Sequence, residues 1–156
     1  MTLYFFRHGS AVDQAVWEGK ESLRPLTPAG ERDIEREARA LAPYMTVDTI
    51  VASPYERAAK TASIISKVLG IAPQIDERLA PGFDHGRLMK VLADHADSRA
   101  ILLVGHEPDF SRIIGSLAGG ARVSLKKGGL ARIEWDQAST SGTLEWLLSP
   151  KLLLDR

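Results

Sequence analysis

An α/β fold, with a mainly parallel central sheet between helices on both faces, is what this sequence predicts. Three observations carry that expectation. Short apolar runs alternate with segments of helical period through most of the chain. Ala100–Val104 is an uninterrupted apolar run, as in a parallel strand covered on both sides. Proline and glycine punctuate the boundaries: Thr27-Pro28 and Ser53-Pro54 read as cap-then-proline helix starts, and Gly70 as a helix stop.

Taken in order, Leu3 to Phe6 reads as a buried strand that opens into a loop at Arg7-His8-Gly9. Residues 10 to 26 are irregular and polar. A helix follows Thr27, with Ile34, Ala38 and Leu41 on its apolar face and Pro43 at its end. Its charged run, Glu31 to Arg39, reads as a solvated face with Glu35–Arg39 as a supporting pair. Val47 to Ala52 is the second strand, and Ala58, Ala62, Ile65 and Val68 give the next helix its apolar stripe. A short strand near Ala72 to Ile75 and a helix around Leu88, Val91 and Leu92 lead to Ala100–Val104. After Gly105-His106-Glu107-Pro108 comes a helix with Phe110, Ile113, Ile114 and Leu117 inward. Arg122–Leu125, Leu130–Trp135 and Thr143–Leu148 read as strands joined by turns.

The length of 156 residues suits one domain, 1–156, with its own core. Lys plus Arg number 20 and Asp plus Glu 20, so the formal net charge is zero. That balance points to no nucleic acid and no membrane surface as partner. With no cysteine, disulfides, thiol nucleophiles and thiolate metal sites are excluded. No apolar run would span a bilayer, and Met1 to Arg7 lacks a signal-peptide layout, so a cytoplasmic location is expected.

In open α/β sheets, ligands bind beyond the carboxyl ends of the strands. Three predicted strand ends carry Arg7-His8-Gly9, Ser53-Pro54 and Gly105-His106, so His8, His106, Arg7 and Arg57 should meet at one edge. Helix N-termini add free backbone N–H groups there, and arginines add bidentate donors for phosphate oxygens. A neutral imidazole in such a pocket can attack phosphorus in line. Because the side chains already supply the positive charge, no metal and no other cofactor is expected. Arg57 on a first helical turn opposes the helix dipole, and a bound anion explains that placement economically.

Arg7-His8-Gly9, then Ser53-Pro54 with Arg57-Ala58 and Thr61-Ala62, then Gly105-His106 resemble the three signatures of the histidine phosphatase superfamily, in order and spacing. The resemblance covers nearly the whole chain and implies the fold of the phosphoglycerate mutase-like proteins. The chain is most similar to the small SixA-type phosphohistidine phosphatases. Nothing resembles the inserted helical cap of the mutases, and Arg24-Pro25-Leu26-Thr27 and Glu77-Arg78-Leu79-Ala80-Pro81-Gly82 fit the small subgroup. The resemblance implies His8 as nucleophile, Arg7, Arg57 and His106 as the residues holding the phosphoryl group, and Arg24 at the pocket border. Gly9, Glu21, Ser53 and Glu107 complete the expected substrate-binding set. The subgroup often has Asp where this chain has Glu21, which reads as either a site carboxylate or a solvated loop residue.

Mutase-like members carry a catalytic Glu where this chain reads Pro81. A phosphomonoester leaves as an alkoxide and needs a general acid, whereas phosphohistidine leaves as imidazole. The expected function is therefore a metal-independent phosphatase acting on protein phosphohistidine through a phosphohistidine enzyme. Its expected partner is a phosphorylated protein of histidine-phosphotransfer or phosphocarrier type. A phosphatase for a small phosphomonoester, with Glu21, Asp84 or Glu107 as acid, and a silent phosphate-binding module are the competing readings. Trp17 reads as a lid residue or a satellite core, His85 and His95 as surface residues, and Lys126-Lys127 as a basic turn or a contact for an acidic partner.

Overall fold

Six strands form one sheet in the order β3-β2-β4-β1-β5-β6 in the computed structural model, which describes residues 1–154. The strands are β1 (Thr2–Arg7), β2 (Thr49–Ala52), β3 (Pro73–Ile75), β4 (Ala100–Gly105), β5 (Leu130–Asp136) and β6 (Ser141–Leu148). The first four are mutually parallel, and β5 and β6 extend the sheet antiparallel beside β1. The helices are α1 (Pro28–Leu41), α2 (Glu56–Leu69), α3 (His85–Asp94), α4 (Asp109–Leu117) and the short α5 (Lys151–Leu154). No helix is long and apolar enough to cross a membrane among the described residues.

Side chains alternate across each strand, which divides the core into two layers. Leu3, Phe5, Val51, Ile101 and Leu103 pack against α3 and α4. Tyr4, Phe6, Ile50, Leu102 and Val104 pack against α1 and α2. Each of these fully buried aliphatic or aromatic side chains contributes about 1.5–3 kcal/mol by leaving water. β4 is buried along its whole length, as its apolar run predicts. The three-layer expectation therefore holds.

The local signals explain the helix ends. Thr27 Oγ1 accepts the Gly30 N–H at 2.9 Å, and Pro28 occupies the first turn of α1. Gly70, at φ 72°, closes α2 in the left-handed conformation. Asp84 caps α3 by accepting the Arg87 N–H at 2.8 Å.

Three local readings need correction. Arg122–Leu125 is not a strand. Both edges of β1 are already taken by β4 and β5, and this segment serves other partners: Leu125 donates its N–H to Ser111 Oγ at 3.1 Å and accepts from Arg7 at 3.0 Å. Ser53-Pro54 does not cap α2, which starts at Glu56 after Tyr55. Ser53 Oγ instead accepts the Tyr55 N–H at 3.2 Å, a turn that keeps its hydroxyl beside His106. Lastly, Glu37 lies inside the supposed solvated face of α1 but is only 2% exposed. The Glu35–Arg39 pair is present at 2.8 Å.

The register sets the site. Arg7 pairs with Gly105 and Ala52 with Val104, so the residues that follow are neighbours at one edge. His8 donates its N–H to the Gly105 carbonyl at 3.1 Å, and Ser53 donates to the Val104 carbonyl at 3.0 Å. Gly105 is required by close approach: a Cβ there would meet the Phe110 ring at 2.6 Å.

Candidate active site

A cavity of about 690 Å³ opens at that edge. Arg7, His8, Glu21, Arg24, Arg57 and His106 line it, and Glu107 adds a carboxylate. The structure thus brings together seven of the nine residues singled out from the sequence. Gly9 and Ser53 lie behind the wall, each holding one of the histidines.

His8 is 7% exposed. Its Nδ1 lies 2.8 Å from the Gly9 carbonyl, an acceptor, so Nδ1 carries the proton. Nε2 is then the unprotonated nitrogen, and it accepts the Nε–H of Arg57 at 3.3 Å. The Gly9 N–H is itself tied to Thr61 Oγ1 at 3.1 Å, and Thr61 donates to the Arg57 carbonyl at 2.7 Å. One short chain of hydrogen bonds therefore couples the His8-Gly9 loop to the first turn of α2.

Arg57 is held from several directions. Its Nη1 donates to the Glu21 carbonyl at 3.0 Å, its Nη2 pairs with Glu21 Oε1 at 3.3 Å, and its guanidinium lies 5.2 Å from the Tyr55 ring centre. Glu21 also accepts from Arg24 Nη2 at 2.8 Å, while Arg24 Nη1 donates to the Val12 carbonyl at 2.8 Å. Arg7 donates to the Leu125 carbonyl at 3.0 Å, and its buried Nε has no hydrogen-bond partner among the described residues.

The electrostatics keep both imidazoles neutral. Burial pushes His8 down to about 4, with the Arg57 charge acting in the same direction. Burial, then the neighbouring His8 and Arg57, pushes His106 down to about 3. The two rings lie 5.3 Å apart between centres. His106 Nε2 is 2.7 Å from Ser53 Oγ, and its buried Nδ1 has no partner among the described residues. Hydrogen bonds from Arg24 hold the Glu21 carboxyl below the usual carboxylate range.

The remaining candidates fall elsewhere. Asp84 and His85 border a separate hollow beside Asp109 and Arg112. Trp17 folds over Gly19 and donates its Nε1–H to the Lys20 carbonyl at 2.9 Å, outside the cavity wall. Among the described residues, no group of three or more His, Cys, Asp or Glu is arranged to hold a metal ion.

Sequence reasoning missed Tyr55 and Lys127 as cavity residues and Thr61 as the support of Gly9. Tyr55 presents its ring edge-on to His106 at 5.3 Å. Its position directly after Ser53-Pro54 is the available signal. Lys127 has none, because only the return of the chain after α4 brings it to the edge.

Residues 3–87 match the family described as the histidine phosphatase superfamily, branch 1. The chain belongs to that superfamily. By membership its class is phosphatase. Across 99% of both chains it is 37% identical to an uncharacterised protein of Picosynechococcus sp.. The protein histidine phosphatase SixA complexed with tungstate superposes with a TM-score of 0.87 at 24% identity, over 98% of this chain and 99% of that one. The alpha-ribazole phosphatase from Shigella flexneri superposes at 0.75 with 20% identity, over 96% and 97%. At these identities the structural likeness is one of fold. Arg7-His8-Gly9 stands at the carboxyl end of β1, within the matched residues.

Proposed function

We propose that this phosphatase removes the phosphoryl group from protein phosphohistidine, using His8 as nucleophile and no metal ion. The observation that carries the reading concerns two wall positions, Pro81 and Glu21, beside which Asp13 and Glu107 are the other acids of the cavity. Pro81 stands in the wall, and Glu21 is held as a carboxylate between Arg24 and Arg57. Neither supplies the proton that an alkoxide leaving group needs. A phosphohistidine ring already protonated on its other nitrogen leaves as neutral imidazole and needs none.

In the first step His8 Nε2 attacks phosphorus, and the P–N bond to the substrate imidazole breaks. The Arg57 N–H keeps its proton and turns its hydrogen bond from Nε2 to a phosphoryl oxygen, which frees the lone pair. Arg7 and Arg57 then neutralise the equatorial oxygens as the phosphoryl group moves. A hydrogen bond of 2.7 Å between His106 Nε2 and Ser53 Oγ holds the second imidazole beside His8. In the second step water attacks phosphorus, the P–N bond to His8 breaks, and phosphate leaves with His8 again neutral.

The cavity is far larger than a phosphoryl group and is open at the sheet edge, which suits a side chain borne on a protein of histidine-phosphotransfer or phosphocarrier type. Glu107 favours a second reading, hydrolysis of a small phosphomonoester, because its carboxylate lines the same cavity with Oε1 fixed by the Ser111 N–H at 2.9 Å.

The test compares phosphate release from a phosphohistidine protein and from a panel of phosphomonoesters, with and without EDTA. Preference for the phosphohistidine protein, unaffected by EDTA and lost in His8→Ala, is expected. Higher kcat/KM on an alkyl phosphate would overturn the substrate assignment, and inhibition by EDTA the metal-independence.

A further inference from the structure

Lys127 ends in the cavity wall, yet its backbone belongs to the turn that clamps the nucleophile strand. The Gly128 N–H is shared between the Arg7 and His8 carbonyls, at 3.1 Å each. The Arg7 N–H donates to the Gly129 carbonyl at 3.0 Å, and the Gly129 N–H closes the turn on the Lys126 carbonyl at 2.7 Å. Gly128 sits at φ 70°, which a side chain disfavours, and a Cβ there would collide with the Glu37 carboxyl at 2.8 Å. The base of Lys127 is thus fixed relative to His8, while its side chain is exposed.

The cations of the cavity differ in their partners. Arg24 and Arg57 share Glu21, and Arg7 is held by the Leu125 carbonyl. Lys127 forms no ion pair among the described residues. A phosphoryl group bound deep against His8 is served by the arginines. The exposed amine on a fixed base then remains for a second anionic group, outside the reacting centre.

We propose that Lys127 is a specificity-determining residue that pairs with a carboxylate flanking the phosphohistidine of the partner protein. This rests on the proposed phosphohistidine activity. The preferred substrate is a phosphohistidine set among acidic side chains. An exposed ion pair is worth about 0.2–1 kcal/mol, so the selectivity expected is roughly 1.4-fold to fivefold, and salt screens it.

The test uses two synthetic peptides carrying the same phosphohistidine, one flanked by glutamates and one by glutamines. The readout is the ratio of their kcat/KM values within each enzyme preparation, which cancels any difference in folded fraction. The wild type should favour the glutamate peptide roughly 1.4-fold to fivefold at low salt. Lys127→Gln should bring the ratio to about one, Lys127→Glu should invert it, and Lys127→Arg should keep it. Lys126→Gln, one residue outside the wall, should leave it in place. A wild-type ratio of one, a ratio retained in Lys127→Gln, or an equal fall in Lys126→Gln overturns this inference alone. Failure to hydrolyse either peptide overturns the proposed activity and this inference with it.

Discussion

The Nε–H of Arg57 rests on Nε2 of His8 at 3.3 Å, the nitrogen assigned to attack phosphorus. The contact favours the neutral imidazole and occupies its lone pair with the Arg57 donor. It also means that substrate must take over the Arg57 donor before reaction. Arg57→Ala is expected to lower kcat/KM about 10²–10³-fold, the scale for losing one preorganised donor to a developing charge. Arg57→Lys should recover only part of this, because an ammonium lacks the planar fork. Steady-state kinetics of both variants checks the point. Full activity in Arg57→Lys would show that only the charge is used.

The neutral imidazoles set a pH response. His8 and His106 fall to about 4 and 3 in the fold from an unfolded value of 6.5. The unfolded chain therefore binds more protons below 6.5, and stability is lost as pH falls from there toward the folded values. Denaturant unfolding should show this decline, and His106→Asn should flatten it. Inorganic phosphate should restore stability by binding the folded state only.

Glu21 ties Arg24 to Arg57 through one carboxylate. Glu21→Gln is expected to reduce kcat/KM about tenfold by loosening both guanidinium groups. A positioning role predicts the same loss on p-nitrophenyl phosphate and on an alkyl phosphate. A loss confined to the alkyl phosphate would instead identify Glu21 as the general acid.

Glu37 is buried against the Gly128 turn, and its Oε2 lacks a hydrogen-bond partner among the described residues. Burial raises it from 4.5 to about 8, helped by Asp33. The unfolded chain releases this proton from pH 4.5 upward while the fold retains it. The contribution of Glu37 to stability is therefore fully present below 4.5 and is lost as pH rises through 8. Glu37→Gln should stabilise the protein at pH 7 by roughly 1–3 kcal/mol, with little effect below pH 4.5. Thermal unfolding across that range is the check, and an unchanged pH profile would contradict it.

Much of the site was legible because its chemistry lies at strand ends. Arg7-His8 and Gly105-His106 each follow an apolar run, and parallel strands bring such ends to one edge whatever their separation in sequence. Arg57 was legible from the unfavourable dipole position it occupies on α2. Ser53 was misread as a helix cap, since Ser-Pro looks alike whether a helix starts at once or after Tyr55. Glu37 was misread because helical period alone does not reveal that a glycine turn from another part of the chain covers that face.

The sequence by itself determined the strands and helices that carry the site, the two histidines and their arginines, and the superfamily. These depend on local patterns of apolar spacing and short motifs, which neighbouring residues encode. Only the tertiary structure decided which nitrogen of His8 is free, that Glu21 is bound to two arginines, that Tyr55 and Lys127 enter the cavity, and that Glu37 is buried. Each depends on contacts between segments distant in sequence, where distance and desolvation, rather than residue type, set the chemistry.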